Sequence, residues 1–321
     1  MVQKVSFRFL LATVICLSAL TPLYAETLGI IDGSDLTVRY DEPLKNAAWE
    51  VVAHYPRIKH ELEAILGWEI DFKPSVLLIR ENASFQEITA NPYVIAFAVP
   101  GKHLIVIDYS KMNISPFTLE VTLKHEMCHV LLGRYIPDQR LPRWLNEGFC
   151  QWVTGGIAEL MIDDRQPNLT KASLSHRLIP LVLLSRTFPG DKNQLILAYE
   201  ESKSVIDFIV TEYSQGGIVN ILGYLRDGDT VEAATGKSLS LTPDELEKRW
   251  TQYLKGKVTW LGFLAANIYT ILLFVAAMLA CAGFFRVLIK RRRRALIPDE
   301  EDDYIVSSPE ETGDKRERHE R

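Results

Sequence analysis

Apolar and polar residues alternate at Leu36-Thr37-Val38-Arg39-Tyr40, the period of a strand with one covered face. The period then lengthens. From about Leu44 to Leu66, apolar side chains recur three and four apart, at Ala48, Val51, Val52, Tyr55, Ile58, Leu62 and Ile65. That spacing predicts a helix with one buried stripe. Ser75–Ile79 is a short apolar run and predicts a strand; Tyr93–Val99 and Leu104–Tyr109 predict two more, joined by a turn at Pro100-Gly101. Helical spacing then takes over. Ser115-Pro116 supplies a capping hydroxyl and a proline for a helix that runs to near Gly133. Pro142 opens another, ending near Gly155-Gly156. Asp191 caps a long helix to Gly216, a further one covers Ile218–Arg226, and Thr242-Pro243-Asp244 starts a last one that ends near Lys255-Gly256. The expected class is α+β: a small mixed sheet followed by helices.

Two apolar segments fall outside this scheme. Lys4 and Arg8 precede FLLATVICLSAL and then TPLYA, the layout of a secretory signal peptide over residues 1–25. Leu23 sits where a small residue is preferred before cleavage, so an uncleaved anchor is the alternative. The second segment, Trp260 to Phe285, has no charged residue and is followed by Arg286, Lys290 and Arg291 to Arg294. It is long enough to cross a bilayer, which takes about 20 residues, and its basic flank is the kind that stays cytoplasmic. The expected organisation is therefore a signal peptide (1–25), an extracytoplasmic domain (26–256), a transmembrane helix (260–285) and a basic flank with a polar cytoplasmic tail (286–321). The protein is expected in the cell (inner) membrane, periplasmic if the source is Gram-negative. A hydrophobic share of 47% supports a core, and a net charge of -5 argues against nucleic acid as the main partner. Of four cysteines, Cys16 and Cys281 lie in the apolar segments, which leaves Cys128 and Cys150 in the exported part.

The chemistry concentrates at HEMCH, His125 to His129. Residues four apart share a helix face, so both imidazoles can reach one Zn²⁺ ion, with Glu126 beside it as a proton acceptor. Two histidines leave a catalytic site short of a ligand, because such zinc sites usually have three protein ligands. His176, Asp138 and Glu147 are the downstream candidates. Glu147 is the best placed, early in the next helix, within LPRWLNEGFCQW.

HEMCH followed after a short connector by WLNEG resembles the gluzincin metallopeptidases, specifically the peptidase MA-like group related to M1 and thermolysin-type enzymes. The resemblance implies a zincin-like helical subdomain with one zinc ion. Its ligands would be His125, His129 and Glu147, its general base Glu126, and its substrate a peptide or protein. Tyr199, in AYEES, looks like the tyrosine that donates to the oxyanion in M1-type enzymes; a partly buried structural tyrosine is the other reading. The stretch YVIAFAVPGKHLIVID lacks the glutamate that M1 aminopeptidases use for the substrate amine.

By the same resemblance Cys128 and Cys150 meet where the two helices cross, as buried small side chains or as a disulfide. Cys128 as a ligand is disfavoured, because it lies about a quarter turn off the His125/His129 face. Asn146 and Gln151 are read as supporting a ligand or the helix pair, with a surface glutamine as the bland alternative for Gln151. The expected function is a membrane-anchored zinc metallopeptidase. The alternative is a non-catalytic pseudopeptidase or peptide-binding module.

Overall fold

A computed structural model describes residues 28–89, 93–112, 117–156 and 168–295. The expected signal peptide and the tail beyond 295 lie outside the described residues. Strands β1 (Leu28–Asp32), β2 (Thr37–Asp41), β3 (Ser75–Ile79), β4 (Ala96–Val99) and β5 (Leu104–Asp108) form one sheet in the order β1-β2-β3-β5-β4. β2, β3 and β5 run parallel; the outer strands β1 and β4 are antiparallel to their neighbours. This is the mixed sheet expected from the alternating segments. β1 was not anticipated, since its pattern LGIID carries no clear alternation.

Helix α1 (Lys45–Leu66) closes with Gly67 in the left-handed conformation (φ 68°), as a helix C-terminus commonly does. Its predicted stripe is the buried one: Ala48, Val51, Tyr55, Ile58 and Leu62 enter the main core, with Val52 and Ile65 packed against it. A short helix α2 (Asn82–Thr89) follows β3. Helix α3 (Leu119–Tyr135) departs from expectation at both ends. Ser115-Pro116 lies outside the described residues, and the cap is Thr118, whose Oγ1 accepts from the Val121 N–H at 3.2 Å. Gly133 does not stop the helix, which continues a further half turn. A Cβ there would stand 2.5 Å from Pro100 Cβ, so this glycine admits the turn before β5 against the helix.

Helix α4 (Arg143–Thr154) opens after Pro142 and ends at Gly155 (φ 75°), as the sequence predicts. Two short helices, α5 (Asn168–Leu174) and α6 (Leu181–Leu184), were not anticipated. The long helix α7 (Lys192–Arg226) is capped by Asp191 through the Asn193 and Gln194 N–H groups. It merges the two expected helices across a non-helical Ser214 (φ 65°). Helix α8 (Val231–Leu239) precedes the last helix, α9 (Pro243–Ala295). Gly256 does not end α9: an interior glycine costs a helix only about 1 kcal/mol.

The chain divides into two compact units, residues 1–259 and 260–321. The second contains a helical stretch, Asn267–Arg291, with mean hydropathy 2.4 and no buried residues, long and apolar enough to cross a membrane. The architecture is α+β, a mixed sheet with helices and one such apolar helix.

Candidate metal centre

α3 lies between the sheet and α4, and α4 in turn packs on α7. The closest approach is at Gly148, where an added Cβ would stand 2.3 Å from the Ser202 carbonyl oxygen of α7. The absence of a side chain there lets α4 sit deep enough for its first turn to face α3. Glu147 follows at the start of the second turn.

The structure brings His125, His129 and Glu147 together. Their donor atoms lie within 4.8 Å of one another, and all three residues are buried. The two Nε2 atoms are 3.1 Å apart, and His129 Nε2 is 3.4 Å from Glu147 Oε2. Ligands about 2.0–2.1 Å from a tetrahedral zinc stand roughly 3.3 Å from one another, so the residues present fit the ion. The orientation of His129 is fixed from behind. Its Nδ1 lies 2.8 Å from Asn146 Oδ1. An amide oxygen only accepts, so the ring proton sits on Nδ1 and the Nε2 lone pair turns to the cluster. Such support behind a ligating imidazole is the usual pattern.

Glu126 is fully buried on the same helix and lines the same cavity as His129, Glu147 and Tyr199, a cleft of about 1050 Å³. Tyr199 rests edge-on against Phe188, with ring centroids 5.0 Å apart. Of the other ligand candidates, Asp138 lines the cavity but is exposed and apart from the cluster, and His176 is an exposed loop residue with φ 56°.

Cys128 and Cys150 are both buried free thiols. Cys150 Sγ lies 3.5 Å from His129 Nδ1, and the Cys128 thiol is a neighbour that perturbs it. Burial above all, then the Cys128 thiol and the nearby Glu147 and Glu126, pushes the Cys150 thiol well up, so it stays protonated. Gln151 is fully buried, which corrects the surface reading. Neither of its side-chain polar atoms meets a hydrogen-bond partner among the described residues; Asn146, not Gln151, backs His129.

Three glutamates, two on α7 and one on α9, hold the segment that runs through α5 to α6; of these residues and their partners, Leu181 and Glu247 line the cavity. Glu200 accepts from the Leu169 N–H at 2.8 Å, Glu201 from Ile179 at 2.9 Å, and Glu247 from Leu181 at 3.2 Å. Sequence reasoning passed over these acids, which read as the solvated face of a helix. Burial pushes the Glu201 carboxyl up to about 8, reinforced by Glu247 and Glu200 and opposed by the Ile179 N–H. A carboxyl near 4.5 in the unfolded chain and about 8 in the folded one holds its proton more tightly when folded. Stability then falls as pH rises across that window. Thermal melts from pH 4.5 to 8.5 are expected to show this decline. Glu201→Gln, which keeps an acceptor for Ile179, should flatten it; an unchanged slope would remove Glu201 as its source.

Residues 88–256 match the family model of the peptidase MA superfamily. That is half of the chain, and the chain belongs to this superfamily. Among the curated proteins, none matches it.

Proposed function

We propose that the protein is a membrane-anchored, zinc-dependent metallopeptidase that hydrolyses peptide bonds. The observation that carries this reading is the donor spacing of 3.1 and 3.4 Å among buried His125, His129 and Glu147. Membership of the peptidase MA superfamily, whose members are typically zinc-dependent, supports the same reading. Residues 26–256 form the catalytic domain, residues 1–25 an export signal, and the apolar helix beyond Trp260 an anchor. The arginines after Phe285 place the C-terminus in the cytoplasm and the cleft outside it.

His125, His129 and Glu147 hold the ion. When bound, Zn²⁺ supplies Lewis acidity, which polarises a peptide carbonyl and lets water lose a proton near neutral pH. Glu126 takes the proton of the attacking water and returns it to the leaving amine nitrogen. Tyr199 offers a phenol O–H to the charge that develops on the carbonyl oxygen. Asn146 keeps His129 in the ligating tautomer. The strands and helices around the cleft keep bulk water from the reacting groups.

Elemental analysis tests the site directly. The purified protein is expected to hold one zinc per chain, and Glu147→Ala to lose it, since that variant removes a third of the donor set. A wild-type protein without stoichiometric zinc would overturn the assignment.

A further inference from the structure

Gln151 is fully buried on α4, and neither its amide nitrogen nor its amide oxygen has a hydrogen-bond partner among the described residues. Two donor hydrogens and an acceptor oxygen are thus taken out of water with no return. Native interiors seldom tolerate this. A buried polar group of that kind calls for a role of its own, in catalysis or towards a water or an ion.

Its place on α4 narrows the choice. Residues three and four apart share a helix face, and helical side chains lean towards the N-terminus, over the preceding turn. On this face the preceding turn holds Glu147 and Gly148. Gly148 has no side chain and sits against the Ser202 carbonyl of α7. On the following turn, the Thr154 hydroxyl donates to the Cys150, Gln151 and Gly156 carbonyls, and Gly155 caps the helix. That leaves Glu147 as the polar side chain of α4 within reach of the Gln151 amide, with Cβ atoms about 5–6 Å apart at this spacing.

Glu147 has the matching need. His129 is already backed by Asn146 at 2.8 Å. Glu147 Oε2 is buried and accepts no hydrogen bond among the described residues; it lies 3.4 Å from His129 Nε2. A carboxylate oxygen carries two lone pairs, so an ion on one leaves the other for an N–H. Carboxylates that bind a metal are generally hydrogen-bonded in turn, which fixes the oxygen they present. We propose that Gln151 is a positioning residue for the metal cluster: its amide N–H donates to the Glu147 carboxylate and holds Oε2 towards the ion. This rests on the zinc assignment above. The same amide is a burden to the metal-free fold and an asset to the metal-bound one.

The test reads both sides with the full-length protein in detergent. Gln151→Met keeps nearly the volume of the side chain and leaves no polar group unpaired. Without metal, this variant is expected to melt at or above the wild-type temperature. Its zinc affinity, measured by competition with a chelator, is expected to fall about ten- to a hundredfold. Gln151→Leu carries the comparison if the methionine variant fails to fold. To assign the effect to Glu147, the same change is made in Glu147→Asp, whose shorter carboxylate stands out of reach of the amide. There Gln151→Met should cost less than about twofold. Unchanged zinc affinity in Gln151→Met would overturn the proposal, as would an equal loss in both backgrounds, which would assign Gln151 to another group. A lower melting temperature of the metal-free variant would make Gln151 a structural residue and overturn it too. A wild type that binds no zinc would overturn the proposal together with the zinc assignment. The expected affinities in a protein that cleaves nothing would sustain it while overturning the peptidase reading.

Discussion

Replacing Glu126 with glutamine is expected to leave zinc bound and to remove peptide cleavage, by a factor of about 10²–10⁴ or more. The two parts of that outcome have separate causes. Glu126 is one position round the helix from His125 and does not belong to the donor cluster, so exchanging its carboxylate for an amide leaves the three cluster residues untouched. The amide cannot accept the proton of an attacking water, and the step that needs a base then has none. Glutamine matches glutamate in size, so a fully buried position is neither emptied nor overfilled. The measurement is kcat on a mixed peptide library, with zinc content read on the same samples. A variant that holds zinc and still cleaves at wild-type rate would take the base role away from Glu126. A wild type that holds zinc and cleaves nothing would favour a peptide-binding module over an enzyme.

The second large effect is on folding. Gly148→Ala places a Cβ 2.3 Å from the Ser202 carbonyl oxygen and 2.6 Å from its carbon. The obstacle is helix backbone, which cannot rotate away as a side chain can. α4 must move off α7, and the move carries Glu147 away from the histidines. A loss of about 3 kcal/mol is expected, equivalent to a fall in Tm of roughly 6–12 °C for a domain of this size. Zinc affinity should fall with it. Gly236→Ala is the control: that glycine lies in the interior of α8 and has nothing within 4 Å of an added Cβ. There the gain in helix propensity should make the change neutral or mildly stabilising. Equal melting temperatures for Gly148→Ala and wild type would mean that the two helices are not packed as closely as described.

The cluster of His125, His129 and Glu147, which could hold a metal, was legible because it is local. His125 and His129 are one turn apart on a helix with a strong apolar pattern, and Glu147 follows on the next helix after a short connector. Spacing alone brings such residues together. α1 was legible for a similar reason, since its buried stripe repeats for six turns. The glutamates that hold the α5–α6 segment were not legible. Glu200 and Glu201 stand in a helix among Lys203 and Ser204, a sequence that reads as a solvated face, and only the fold places the Ile179 N–H against Glu201. Arg143 was in view within LPRWLNEG, but nothing in the spacing shows that Phe188, 45 positions later, lies under it. The misplaced boundaries have the same origin. Gly133 and Gly256 look like stop signals, yet one makes room for Pro100 and the other is absorbed by a helix that continues.

The three glutamate contacts also show that the two sides of α7 are held in different ways. α4 is pressed onto α7 at Gly148, backbone against backbone, so that side cannot loosen without unfolding the core. The segment from Leu169 to Leu181 packs Leu169, Leu178, Ile179 and Leu181 against the core and adds acceptor oxygens of Glu200, Glu201 and Glu247 on its amide hydrogens. Val182 and Leu183 on α6 point largely to solvent and add little packing. Amide exchange at Leu169, Ile179 and Leu181 is therefore expected to report on these three side-chain acceptors separately from the backbone-packed α4.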